Sequence, residues 1–304
     1  MKALFVTIAI LLASPPVNEI AATRATLRDR AVRLINRDRQ AYGLPPVQLD
    51  VQASQIGDAY CERQIRNRTT GHFTVDGLAP YMRYSFAGGN DGVSENAAAW
   101  SANYNFNERA LVEMIGRSQD SMMAETPPRD GHKKTILDPF ATHVGIGMAW
   151  EKGEFRLVHE FVRRYVQWTR PVPRSARVTD APLIAGRVAK GLRVEAITVH
   201  YEPAPVAMQP HIASAIDTYS LPDRRREYRP RLKTEITRND DGSMMTTRRV
   251  YANGSRGDFP VTGDGSFSFA LPFTDGPGVY TVVVWVTQSD RRSIAASNIS
   301  IRVM

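Results

Sequence analysis

The sequence contains a single cysteine, Cys61, among 304 residues, so the chain can form no internal disulfide bond. Small exported domains commonly depend on disulfides, and without them stability has to come from apolar cores. Long apolar runs are also absent, since the most apolar stretch, residues 3–13, is too short to cross a bilayer. The sequence therefore predicts neither a disulfide-linked scaffold nor a membrane-spanning protein.

The first residues have the pattern of a secretory signal. Lys2 supplies a positive start, residues 3–13 are apolar, and residues 14–16 (Ser-Pro-Pro) end the run. We expect a signal peptide over residues 1–22 and a mature protein that is secreted or periplasmic, without a transmembrane segment. An exported chain without disulfides also favours a bacterial envelope or medium over a eukaryotic secretory pathway.

The charge of the chain is basic, because Lys plus Arg exceed Asp plus Glu by 39 − 31 = 8. A basic exported protein is attracted to an anionic envelope surface, which is one expected partner. The arginines are scattered along the chain, as on solvated faces. No stacking aromatic residues alternate with them and no nucleic-acid motif frames them, so we expect no nucleic-acid partner.

Helical periodicity dominates the first half of the chain. Apolar residues recur at helical spacing in three places, residues 26–42, 51–65 and 107–123. Asp50 offers an N-cap for the second of these helices. Two short β-rich runs follow, residues 144–150 and 155–162, and they predict a hairpin. Helices followed by an antiparallel pair indicate an α+β unit, layered as an α/β/α sandwich.

Strand and turn patterns dominate the second half. Two prolines within residues 168–174 break both periodicities, so we place a linker at residues 168–177. The first domain then covers residues 24–167 and the second covers residues 178–304. In the second, apolar and polar residues alternate at residues 266–271 and 299–303, which predicts an all-β, immunoglobulin-like sandwich.

Several short motifs in the first half point to a particular site. Two Gly-His steps, ending in His72 and His132, bracket a Ser-Glu-Asn element centred on Glu95, and all follow a helix that ends in Tyr-Gly-Leu-Pro-Pro at residues 42–46. In this order the motifs resemble the CAP superfamily, also called the SCP domain family: cysteine-rich secretory proteins, insect antigen 5 and plant pathogenesis-related proteins. The bacterial, disulfide-free branch is the best match.

The resemblance implies an α/β/α sandwich with a central cleft in which two histidines and one or two glutamates face each other. On this chain the histidines are His72 and His132, and the first glutamate is Glu95. Glu125 takes the place of the family's acidic residue before the second histidine, and Glu113 is its rival. We expect His72, Glu95, Glu125 and His132 to form the site.

Two imidazoles with one or two carboxylates around a wet cleft are ligands that Zn²⁺ accepts. The metal candidates are His72 and His132, with Glu95 and Glu125 as orienting or water-activating groups. Without a metal, the same groups could act as a general acid and base, because histidine titrates near neutral pH. The residues alone leave both uses open.

Three functions follow from the resemblance. The preferred one is a secreted binding module whose cleft holds a small hydrophobic or cell-wall-derived ligand (lipid, sterol or wall fragment), with Zn²⁺ or another divalent cation as its expected companion. The first alternative is a metal-dependent hydrolase acting on peptide or cell-wall polymer. The second is an envelope-associated interaction protein with a vestigial cleft. Whether the protein is an enzyme stays open at this point.

Overall fold

The structure is a computed structural model that describes residues 17–238, 240–288 and 292–304. The predicted signal peptide lies mostly outside these residues, and its last positions, residues 17–22, belong to the first helix. Within the described residues, no helix combines the length and the apolar character needed to cross a membrane.

The first half contains five helices and a four-stranded sheet within the described residues. The helices are α1 (Val17–Ala41), α2 (Val51–Asn67), α3 (Pro80–Phe86), α4 (Glu108–Met123) and α5 (Gly131–Ile136). The strands are β1 (Gln48–Leu49), β2 (Gly92–Ser101), β3 (His143–Glu151) and β4 (Glu154–Arg163), in the order β1-β3-β4-β2. The three predicted helices and the predicted hairpin are confirmed as α1, α2, α4 and the β3–β4 pair. Strand β2, which sequence periodicity did not reveal, forms one edge of the sheet.

Side-chain caps explain where two of the helices begin. The Asp50 carboxylate accepts a hydrogen bond from the backbone N–H of Ala53 at 2.8 Å, which confirms the predicted N-cap of α2. The Asn107 side chain accepts from the N–H of Ala110 at 2.9 Å in the same way. Each cap satisfies an N–H that the first helical turn leaves without a partner.

Helices lie on both faces of the sheet, which gives the predicted α/β/α layering. On one face, alternate apolar residues of β3 and β4 pack against α1 and α4; they are Val144, Ile146, Met148, Phe155 and Leu157. On the other face α2 lies directly on the backbone of β3. A Cβ added to Gly147 would come within 2.3 Å of the Cα of Gly57, so both positions need glycine for this close approach. The sheet is therefore sandwiched between α1 with α4 and α2 with α3.

The second half is built from strands and one short helix. The strands are β5 (Val166–Trp168), β6 (Ser175–Ala176), β7 (Leu183–Val188), β8 (Arg193–Glu202), β9 (Arg225–Tyr228), β10 (Thr234–Arg238), β11 (Met244–Arg248), β12 (Ser266–Ala270), β13 (Gly278–Thr287), β14 (Ser293–Ala295) and β15 (Ile299–Val303). The helix α6 (Pro210–Ala215) was not expected from the sequence.

Two sheets of the second half share one apolar core. The smaller has the order β12-β7-β5, and the larger has the order β6-β15-β13-β8-β9 with β14 beside β13. Residues of both sheets meet in a single buried cluster that includes Ile184, Phe267, Phe269, Ile197, Val282 and Ile301. The alternating strands predicted around Phe267 and Ile299 are found as β12 and β15. At the two ends of the predicted linker, β5 pairs with β7 and β6 pairs with β15, while the domain boundaries at residues 167 and 178 stay predictions.

A segment of the second half lies against the first half. We name residues 203–224, which connect β8 to β9 and include α6, the strap. The N–H of Met208 in the strap donates to the carbonyl of Val75 at 2.7 Å, and the N–H of Thr70 donates to the hydroxyl of Ser214 at 3.1 Å. The strap therefore runs beside the loop that follows α2, which also carries His72.

Candidate functional site

His72 is held against Glu95 by the loop that leaves α2. The carbonyl of Gly71 accepts hydrogen bonds from the Tyr60 hydroxyl and from Nε2 of Gln64, both at 2.9 Å, which fixes the loop to the helix. His72 Nδ1 then lies 2.9 Å from Oε1 of Glu95 on β2. Both side chains are buried, so the carboxylate determines which ring nitrogen carries the proton.

His132 is held against Glu125 in a second, similar pair. Glu125 follows α4, and its Oε2 accepts the backbone N–H of His132 at 2.9 Å, while its Oε1 lies 2.5 Å from Nδ1 of the same histidine. The Asn96 side chain donates to the His132 carbonyl at 3.0 Å and so ties α5 to β2. The rival candidate, Glu113, lies instead on the exposed side of α4 and forms an ion pair with Arg117 at 2.7 Å.

The two histidine–glutamate pairs meet at one cleft. The ring centroids of His72 and His132 are 6.3 Å apart. The glutamates contact Nδ1 in both cases, and neither Nε2 has a hydrogen-bond partner among the described residues. The cleft has a volume of about 590 Å³, and its lining includes His72, Glu95, Asn96, Glu125, Arg129, His132, Thr135, Asp217 and Tyr219. The structure thus brings all four predicted site residues together.

A buried arginine beneath the cleft holds Glu95 in place. Arg83, on α3, donates to Oε2 of Glu95, to the carbonyl of His72 at 3.0 Å and to Oε1 of Glu160 at 3.4 Å. Its guanidinium also lies 3.5 Å from the centre of the Tyr60 ring, a cation–π contact. Both oxygens of Glu95 are therefore engaged, one by His72 and one by Arg83.

Burial and this arginine set the protonation of the pair. Burial raises the pKa of Glu95 to about 6, although the Arg83 charge opposes the shift. Burial, assisted by Arg83, lowers the pKa of His72 to about 4. Burial and the nearby Glu95 charge raise the pKa of Glu160 well above its usual range. At neutral pH His72 is neutral, donates from Nδ1 to ionised Glu95, and keeps a free lone pair on Nε2.

The separation of the two imidazole rings is compatible with a metal ion between them that keeps open coordination positions. Zn–N bonds of about 2.0–2.1 Å place ring centroids about 5.2 Å apart for a tetrahedral angle and about 6.4 Å apart for a linear one. The observed 6.3 Å lies within that range, near its upper end. Among the described residues no group of three or more His, Cys, Asp or Glu side chains is arranged to hold a metal ion. An ion here would have two protein nitrogens and would take its other ligands from water or a bound molecule.

His159 lies buried behind the cleft and gives a prediction about acid stability. Neither of its ring nitrogens has a partner within the described chain, and burial, with the nearby His132, lowers its pKa from 6.5 to about 4. Between these values the unfolded chain binds a proton that the folded chain does not, so stability falls as the pH falls. In His159→Leu we expect this loss, measured by urea unfolding at several pH values, to shrink by about 3 kcal/mol.

The control for this variant is His211→Leu, at an exposed histidine of α6. It should leave the pH dependence of the free energy of unfolding as it is in the wild type. An equal acid sensitivity in His159→Leu and in the wild type would contradict the assignment of His159 as a buried neutral imidazole.

Sequence reasoning missed three residues that build the site: Arg83, Glu160 and Tyr219. The ring of Tyr219, in the strap, packs edge-on against that of His72 with centroids 4.9 Å apart. None of the three belongs to a motif, and Tyr219 is 124 positions from Glu95, whose backbone its hydroxyl contacts. No local pattern could have identified them.

Comparison with known proteins identifies the class of the first half. Residues 32–161 match the model of the CAP family, described as the cysteine-rich secretory protein family. The N-terminal half of the chain therefore contains a domain of the CAP superfamily, as the motifs predicted.

Two solved structures are each similar to about half of the chain. One is an extracellular protein containing an SCP domain from Bacillus anthracis, with 15% identity and a TM-score of 0.38; the match covers 50% of this chain and 45% of that one. The other is an outer surface protein from Borrelia burgdorferi, with 16% identity and a TM-score of 0.36, covering 47% of this chain and 93% of that one. The search of curated proteins gave no match.

Proposed function

We propose that this protein is a secreted or envelope-located binding protein whose CAP cleft holds a divalent cation, Zn²⁺ being the first candidate, and through it a ligand. The observation that carries the proposal is the paired arrangement of His72 with Glu95 and His132 with Glu125. A carboxylate on Nδ1 orients an imidazole and raises the basicity of its Nε2, as is usual for metal-binding histidines. When bound, the cation would supply an electrophilic centre for an oxygen or nitrogen of the ligand.

The lining of the cleft favours a polar ligand. Most of the lining side chains are charged or polar, among them Glu95, Asn96, Glu125, Arg129, Thr135 and Asp217. An apolar ligand would cover the charged side chains of Arg129 and Asp217 without offering them hydrogen-bond partners, which costs free energy. Of the ligand classes expected from the family resemblance, a cell-wall-derived fragment therefore suits this cleft better than a lipid or sterol.

The engagement of the glutamates favours binding over hydrolysis. A metal-dependent hydrolase needs a base that can take a proton from water. Both oxygens of Glu95 are occupied by His72 and Arg83. Both oxygens of Glu125 are occupied by the ring and the backbone N–H of His132. The two carboxylates act as orienting groups for the imidazoles.

Zinc titration of the full chain, with Glu125 replaced, tests the proposal. Calorimetry should show one zinc site in the wild type. Glu125→Gln should bind zinc about 10–100-fold more weakly, because the amide carries no charge and has one acceptor oxygen for the two N–H groups of His132, and weakening the partner of a metal-binding histidine costs this much in affinity. The matched control is Glu113→Gln, the same change at the exposed glutamate of α4, which should bind as the wild type does.

Two results would reject the proposal. If the wild-type protein shows no zinc site, the proposed metal is wrong. If Glu125→Gln and Glu113→Gln bind zinc equally well, the histidine–glutamate pair has no role in binding.

The ligand class is tested by native mass spectrometry with soluble peptidoglycan fragments and with phosphatidylglycerol vesicles. We expect zinc-dependent retention of the fragments; retention of lipid alone would contradict the polar assignment.

A further inference from the structure

The second half of the chain covers the free edge of strand β2. An edge strand presents a row of backbone N–H and C=O groups that have no partner within its own sheet. At Val93 the amide of Asn298 satisfies both groups, since its Oδ1 accepts the N–H at 3.1 Å and its Nδ2 donates to the carbonyl at 2.9 Å. Asn298 directly precedes β15, so the larger sheet of the second half reaches the β2 edge of the first-half sheet.

Two residues further along β2, a side chain of the strap satisfies both backbone groups of Glu95. The hydroxyl of Tyr219 accepts the N–H of Glu95 and lies 3.3 Å from its carbonyl oxygen, to which it donates. A hydroxyl can act as acceptor and donor at once, so one side chain satisfies both backbone groups. Alternate residues of an antiparallel strand share one edge, which explains the spacing from Val93 to Glu95.

The two contacts differ in how they meet the cleft. Tyr219 lines the cleft, and its ring packs against His72 with centroids 4.9 Å apart, while its hydroxyl holds the Glu95 backbone. It therefore touches both members of one histidine–glutamate pair. Asn298 holds the same strand but is not among the residues that line the cleft.

We infer that the second half acts as a clamp on strand β2 and that Tyr219 is a positioning residue that sets the geometry of the His72–Glu95 pair. This inference rests on the proposed function, because the pair is positioned for the metal. The CAP domain alone would then lack one wall of its binding site and one of the contacts that aim Nε2 of His72. Asn298, by contrast, contributes to the stability of the strand.

Matched substitutions in the full chain separate the two roles. Tyr219→Phe removes the hydroxyl and keeps the ring. We expect zinc binding about tenfold weaker. Hydrogen exchange at the Glu95 amide should be severalfold faster, because that N–H loses its acceptor. Asn298→Ala should speed exchange at Val93 and lower the thermal midpoint by several degrees, with zinc affinity unchanged. Tyr104→Phe, at an exposed tyrosine, should change nothing.

Each result decides the inference. Wild-type zinc affinity in Tyr219→Phe would overturn it, and so would a loss of affinity in Asn298→Ala as large as that in Tyr219→Phe, because strand stability alone would then explain both. If Asn298→Ala does not fold, Asn298→Ser replaces it. If the wild type binds no zinc, the proposed function fails, and exchange at the Glu95 amide still decides the clamp: unchanged exchange in Tyr219→Phe rejects it, and faster exchange there supports it.

Discussion

Replacing both His72 and His132 by alanine is expected to weaken zinc binding by more than about 100-fold, which exceeds the usual effect of losing an outer partner of a metal ligand. The reason is that the two Nε2 atoms are the protein nitrogens open to a metal at this cleft. Without them, an ion in the cleft would be coordinated by water and would not be bound to the protein. Calorimetric titration of the full chain at neutral pH measures the effect, with circular dichroism to show that the variant is folded.

The control for the double variant is His211→Ala, at an exposed histidine of α6 whose side chain has no hydrogen bond or ion pair in the described structure. It should bind zinc as the wild type does. Wild-type affinity in the double variant would place the metal elsewhere. An equal loss in the control would mean that the binding is non-specific.

Arg83→Met should lower the free energy of unfolding by about 3–5 kcal/mol at neutral pH, the cost of breaking a buried ion pair by removing one partner. Arg83 is the cation that touches both Glu95 and Glu160, and all three side chains are buried. Without it, an ionised carboxylate would lie next to a second carboxyl group in a buried site. Urea or guanidinium unfolding of the two proteins measures the difference.

The pH dependence of this deficit has a definite sign. Arg83 opposes the rise in the pKa of Glu95, which lies at about 6 in the wild type, so its removal raises that pKa further. As the pH falls, the folded variant binds protons before the wild type does, and the deficit at about pH 5.5 should be smaller than at about pH 8. Arg63→Met, at a partly exposed ion pair with Asp76, should cost less than about 1 kcal/mol. A deficit that is small, or that grows as the pH falls, would contradict the assigned charges.

The local elements of the first half were accessible from the sequence. Helix α2 begins at its predicted N-cap, Asp50, and the β3–β4 hairpin lies where two apolar runs flank a polar turn. These features depend on neighbours within a few positions, such as the bond from Ala53 to Asp50. Strand β2 escaped prediction because its buried positions follow no clean alternation, with polar residues such as Glu95 and Asn96 among them.

The four predicted site residues also came from the sequence, through short motifs that carry them in a known order. His72, Glu95, Glu125 and His132 meet at one cleft, whereas their roles toward a metal or a ligand are the subject of the proposals above. The choice between Glu125 and Glu113 needed the fold, because both are compatible with the spacing. Only Glu125 is placed by α4 and α5 to reach His132.

The amino-acid sequence by itself therefore determined local and chemical features: the Asp50 helix cap, the hairpin, the lack of disulfides, and the histidines and glutamates of the cleft. The tertiary structure determined the surroundings of these histidines and glutamates. Arg83 under Glu95, and Tyr219 of the strap against His72, come from separate parts of the chain and meet through burial of apolar surface and satisfaction of an exposed strand edge. Both driving forces act between surfaces formed only after each segment has its own structure, so no short pattern of residues encodes them.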